Sequence, residues 1–148
     1  QVMRIAWALM AIVLAGCMKQ PPSPEVLAKL KGGTTKVVVY GFCIPMDHLI
    51  KTTMTRYTMT FVVDGKPYGT MQSCSYATFQ VPSGYWTVEF VPTGFRYTKR
   101  YPGQIFRPGE TQYLSMNPAG NRTFSADWVS KERAEKEIAQ IKGIGQIF

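Results

Sequence analysis

The chain has 148 residues and carries 17 Lys+Arg against 9 Asp+Glu, a formal net charge of +8. Hydrophobic residues at 45% and charged residues at 18% supply a core and exclude wholesale disorder, and the length leaves one domain's worth of chain after any targeting segment. Thirteen Gly and ten Pro imply many turns, which suits an all-β fold, and a single His leaves few candidates for acid–base chemistry.

At the N-terminus, Gln1 is not an initiator: either the reading frame begins upstream or Met3 starts it. Arg4 precedes an uncharged apolar run from Ile5 to Leu14. A membrane-spanning helix needs about twenty apolar residues, so this run is too short to span and suits the core of a secretory signal peptide. It ends in Leu14-Ala15-Gly16-Cys17, which resembles the lipobox of bacterial lipoproteins. The resemblance implies that residues 1–16 are a signal peptide, that Cys17 receives a diacylglycerol thioether, and that Cys17 is N-acylated after cleavage. A plain signal peptide with a chance cysteine is the alternative. One acyl chain binds a membrane only marginally, at about 0.8 kcal/mol per buried methylene, so three would anchor permanently. Met18 in place of Asp implies, by the same resemblance, the periplasmic face of the outer membrane.

Cleavage removes Arg4 alone from the charge count, taking the formal +8 of the whole chain to +7. A basic surface attracts nucleic acid, anionic lipid or acidic glycan. Export argues against nucleic acid and leaves the membrane, other envelope proteins and an anionic lipid or glycan as partners, with ordinary solubilising charge as the plainer alternative. With Cys17 lipidated, Cys43 and Cys74 are left over. In the oxidising periplasm they read as a disulfide, with two free thiols as the alternative.

Residues 17–35 read as the lipidated cysteine and a Pro-rich flexible tether: Gln20 to Pro24 extended, one or two helical turns over Glu25 to Lys31, then Gly32-Gly33 as a stop. From Lys36 the pattern is that of strands. Val37-Val38-Val39-Tyr40 is a β-branched run buried on both faces, and Gly41 to Thr53 is a loop. Met54 to Val63 alternates, with Tyr57, Met59, Phe61 and Val63 inward; Asp64-Gly65 is a hairpin turn, and Lys66 to Met71 returns, with Pro67 in the turn or on an edge. Tyr76 to Val81 and Tyr85 to Val91 flank a Pro82-Ser83-Gly84 turn. Pro92 to Gly109 is rich in turns, with strand around Phe95 to Tyr101; Thr111 to Met116 and Arg122 to Trp128 are the last strands. Ser130 caps a helix of about twelve residues with Ala134, Ile138 and Ile141 on one stripe, stopped by Gly143. About seven strands with turns every eight to twelve residues predict a single antiparallel β-sandwich over residues 36–148, closed by a C-terminal helix.

The run Val62-Val63-Asp64-Gly65-Lys66, then Gly69, Tyr76, Val81-Pro82-Ser83-Gly84-Tyr85-Trp86, and Gly109-Glu110-Thr111-Gln112-Tyr113 resembles a family of bacterial envelope lipoproteins of uncharacterised activity, DUF2846, and more loosely PEGA-type β-domains. These motifs are hairpin turns and their strands. The resemblance implies a fold and an envelope setting and brings no catalytic residues with it. Ser83 stands where a second Pro is common in that pattern.

Chemistry is sparse in the sequence. Cys43, Asp47 and His48 are the one place a nucleophile could start, with no oxyanion donor beside them. One His and two distant cysteines do not make a zinc site, and Asp64 and Glu89 do not pair as a glycosidase needs. Gly32-Gly33 and Gly143-x-Gly145 lack the Lys-Ser/Thr of a phosphate loop. No cofactor or metal is expected. The remaining candidate is a binding face in Phe95-Arg96-Tyr97-Thr98-Lys99-Arg100-Tyr101 with Arg107, where Arg beside aromatics suits an interface or an anionic ligand; a solvated strand with its aromatics in the core is the alternative. The expected function is a non-enzymatic outer-membrane lipoprotein, a binding or structural module of an envelope complex. The second expectation is a periplasmic carrier of lipid, glycan or peptide.

Overall fold

The computed structural model describes residues 20–41, 58–72, 74–93, 98–118 and 124–145. Eight strands form two four-stranded sheets packed face to face, and a C-terminal helix lies outside one of them. The strands are β1 (Thr34–Gly41), β2 (Thr58–Val63), β3 (Lys66–Gln72), β4 (Ser75–Pro82), β5 (Gly84–Pro92), β6 (Lys99–Phe106), β7 (Thr111–Pro118) and β8 (Phe124–Val129). The helices are α1 (Pro24–Lys29) and α2 (Lys131–Gly145).

The first sheet runs β4-β1-β7-β8 and the second β3-β2-β5-β6. Period-two patterning builds the core between them. Val37, Val39, Phe79, Val81, Leu114, Met116, Phe124 and Ala126 face Met59, Phe61, Val63, Met71, Val88, Phe90 and Phe106. Phe61 is its aromatic centre, 4.9 Å from Phe79 in the opposite sheet and 5.4 Å from Phe90 beside it, ring centroid to centroid. β1 is buried on both faces because α2 covers what the core does not.

Several local expectations hold. Asp64 and Gly65 both adopt positive φ, 48° and 73°, the conformation a two-residue hairpin turn requires. β3 is an edge strand, so the missing N–H of Pro67 costs no ladder bond, and the register slips there by one residue. Ser130 caps α2, its Oγ accepting the Arg133 N–H.

Other expectations are corrected. The sandwich is not wholly antiparallel: β1 pairs with β7 in parallel, Val39 opposite Leu114. Pro82-Ser83-Gly84 does not make a hairpin. β4 pairs with β1 while β5 pairs with β2, so this bend carries the chain from one sheet to the other. One residue between two strands is too few to turn them antiparallel. The late strand of the turn-rich stretch is described over Lys99–Phe106, continuing past Tyr101, while residues 95–97 lie outside the described residues; it tolerates Pro102 and Gly103 because it is an edge strand with a bulge there, Gly103 at φ 67°. Pro24 opens α1 as its first residue behind the N-cap Ser23, where a proline's missing N–H is harmless. Gly143 does not stop α2, which continues to Gly145.

The domain also begins earlier than Lys36. Leu30 is buried, the Ser83 N–H bonds to the Gly33 carbonyl, the Gly109 N–H bonds to the Thr34 carbonyl, and the Thr35 hydroxyl donates to the Arg107 carbonyl at 2.6 Å. The apparent tether is therefore stitched to the sandwich by hydrogen bonds from Gly33 onward, with Leu30 buried just before them.

Candidate functional site

Of the residues singled out from the sequence, Cys17, Cys43, Arg96 and Tyr97 lie outside the described residues, as do Asp47 and His48. Cys74 lies just before β4 with φ 54°, and its N–H bonds to the carbonyl of Gly41, the last residue of β1, at 3.0 Å.

The other members of the expected binding face do not present one surface. Arg100 pairs with Glu89 at 3.1 Å, directly across the β5–β6 ladder. Lys99 lies over the Tyr101 ring, 5.9 Å from its centroid. Tyr101 itself turns inward: its ring meets Phe90 edge-on, and its hydroxyl accepts the Ala126 N–H of β8 at 3.0 Å. Burial pushes its phenol pKa up, and the Ala126 hydrogen bond offsets part of that. Tyr101 thus ties the second sheet to the first. Arg107, beyond β6, reaches Glu110 at 3.8 Å, an exposed pair of small energetic weight.

The polar cluster that sequence reading missed lies under α2. Tyr40 and Ser115 face each other across the parallel β1–β7 pair and are both 1% exposed. Both hydroxyls donate to one oxygen of Glu137, Tyr40 at 2.6 Å and Ser115 at 3.3 Å; Arg133 Nε holds the other oxygen at 2.8 Å. Burial, then the bond to Glu137, pushes the Tyr40 phenol up to about 12. Burial acts to raise the Glu137 carboxyl, but the bonds from Tyr40, Arg133 and Ser115 outweigh it and hold it below the ordinary range. With both carboxylate oxygens occupied, the cluster is built to fasten the helix. Its one sequence signal is a carboxylate at Glu137, i+3 from Ala134 and inside the apolar stripe.

A cleft of about 320 Å³ opens where β6, β7, β8 and the start of α2 meet. Its walls are Gln104 and Ile105 of β6, Thr111, Gln112 and Tyr113 of β7, Trp128 and Val129 of β8, and Lys131 of α2. Gln112 Nε2 donates to the Ile105 carbonyl at 2.9 Å, bridging the two sheets at the cleft floor. Trp128 packs edge-on against Phe106, and its buried Nε1 finds no acceptor among the described residues. Among the described residues no group of three His, Cys, Asp or Glu could hold a metal, and no helix is long and apolar enough to cross a membrane. The cleft walls offer amide, hydroxyl, aromatic and ammonium groups to a ligand. No protein-family model matches the chain, and no curated protein matches it.

Proposed function

We propose that this protein is a non-enzymatic, lipid-anchored binding or structural module, held by acylated Cys17 at the periplasmic face of the outer membrane and docking there onto other envelope components. The likeness to DUF2846 lipoproteins belongs to the same reading. The observation that carries it is the shortness of the link. Docking begins at Leu30, and α1 takes up six residues before it. A helix rises about 1.5 Å per residue and an extended chain about 3.3–3.6 Å, so Cys17 stands about 35 Å from the domain at most. Such a link keeps the sandwich against its membrane, where its positive charge favours anionic headgroups. The pull of the anchor enters at β1, which is paired on both sides and resists it better than an edge strand would. A Cys43–Cys74 disulfide is part of the proposal, since the Cys74–Gly41 bond brings the end of β1 beside Cys74.

The test is Cys17→Ser expressed in a bacterial envelope, followed by membrane fractionation and labelling with palmitate. The variant is expected in the soluble fraction without label, and in-cell crosslinking that captures an outer-membrane partner with the wild type should lose it. A Cys17→Ser protein that still sediments with membranes overturns the anchor.

A further inference from the structure

The sandwich has an unclosed corner. Pairing of β7 with β8 ends at Tyr113 opposite Val129, yet β7 extends back to Thr111. The chain leaves β8 for α2 at this point, so Thr111 and Gln112 have no strand beside them on that side among the described residues. The Lys36 N–H bonds to the Glu110 carbonyl, which turns residue 110 toward β1. Backbone groups alternate sides along a strand, so the N–H and C=O of Thr111 face the corner. That corner is the cleft.

We propose that the cleft binds a single pyranose ring carrying an anionic group, the acidic unit of a glycan. Trp128, which lines the cleft from the inner face of β8, gives aromatic surface for the C–H face of a sugar ring. The flat amides of Gln104 and Gln112 and the backbone of Thr111 suit neighbouring hydroxyls, and Gln112 is already fixed by its bond to Ile105. Lys131, whose ammonium is 3.7 Å from Glu135 in an exposed pair, supplies the cation for a carboxylate or phosphate on the ring. The volume is at the low end of the about 300–1,000 Å³ typical of small-molecule sites, which fits one ring. A peptide adding itself as a strand is disfavoured: Tyr101 already takes the outward N–H of Ala126 and Gln112 the carbonyl of Ile105, one ladder position on each flanking edge. The proposal goes beyond the anchored-module reading and does not depend on it.

The full chain carrying Cys17→Ser is titrated with glucuronic acid, glucose, inorganic phosphate and an acidic peptide, followed by amide and indole NMR shifts and by calorimetry. Glucuronic acid is expected to saturate shifts at Thr111, Gln112 and the Trp128 indole, with glucose and phosphate each weaker. Lys131→Gln, an exposed change that spares the fold, is expected to weaken glucuronic acid about tenfold and leave glucose unaltered; Gln104→Ala should weaken both sugars. Tighter binding of phosphate or peptide than of glucuronic acid, shifts away from the cleft, or indifference to Lys131→Gln overturns the proposal. None of these outcomes bears on membrane fractionation, so the two readings fail separately.

Discussion

Glu137 occupies a position where a helix lying on a sheet ordinarily places a hydrophobe, and the two hydroxyls beneath it explain why it is tolerated there. Without it Tyr40 and Ser115 would be left with each other, one buried hydroxyl donor short of an acceptor. Tyr40→Phe removes a short hydrogen bond to a charged acceptor and is expected to cost about 1.5–3 kcal/mol in urea unfolding. The pH dependence follows from the two shifts. The Glu137 carboxyl is lowered on folding, so its contribution is present above the ordinary carboxylate range and is lost as pH falls through the lowered folded value. The Tyr40 phenol is raised from 10.0 to about 12, so its contribution is intact below pH 10.0 and drains away as pH rises toward 12. Urea midpoints measured across pH should therefore show a shallower acid limb in Glu137→Gln than in the wild type. The alkaline limb should be shallower in Tyr40→Phe, though not flat, because Tyr101 is shifted the same way. Identical limbs in wild type and variants would remove the cluster from any role in stability.

At the scale of single elements, what the sequence revealed depended on how local the cause was. The β2–β3 hairpin was legible because Asp64-Gly65 dictates its own turn, and the inward sets of β2, β4 and β8 were legible because alternation alone defines them. β6 was ended too early, at Tyr101, because Pro102 and Gly103 read as a turn. A bulge on an edge strand, with Gly103 at positive φ, carries the ladder past them, and no local window contains that edge position. Glycine substitutions separate these two kinds of cause. Gly65 has φ +73° and open space where a methyl group would sit, so Gly65→Ala should cost only the backbone strain, about 1–2 kcal/mol. Gly103 has φ +67°, and a Cβ there would collide with the Tyr85 hydroxyl and ring. Gly103→Ala should add an overpacking cost of about 1–3 kcal/mol to the same strain. In a Tyr85→Ala background the excess at Gly103 should shrink while the cost at Gly65 stays the same, a cycle read by thermal or urea unfolding. Equal costs at both glycines in both backgrounds would show that Tyr85 does not confine Gly103.

For the whole molecule, the sandwich was readable but the routing of the chain through it was not. Strand identity follows from a period, whereas partner identity is set by contacts far apart in sequence: β1 finds β7 some seventy residues later, in parallel. The one-residue bend at Ser83, one of the places where the chain moves between sheets, looks in sequence like any other Pro-x-Gly turn. The candidate cleft was illegible for the same reason, since its walls come from β6, β7, β8 and α2 and converge only on folding. This routing gives the proposed disulfide its consequence. Gly41 pairs with Ser75 and accepts the Cys74 N–H, and Cys43 follows Gly41 by two residues, within about 7 Å of extended chain. A Cys43–Cys74 bond would close a loop holding β2 and β3, and so lock half of the second sheet to the end of β1. The chain-entropy argument gives about 3–4 kcal/mol for a loop of about thirty residues, less whatever strain the bond carries. Reduction, or Cys43→Ala with Cys74→Ala, should therefore lower stability by about 3 kcal/mol in urea unfolding, and reductant should have no further effect on the double variant. A digest of the unreduced protein should yield the Cys43–Cys74 cross-linked peptide. Alkylation of both thiols in the native, unreduced protein would remove the disulfide and leave the two sheets joined by packing and by bridges such as those of Tyr101, Gln112 and Trp86, whose indole N–H donates to the Pro82 carbonyl at 2.9 Å.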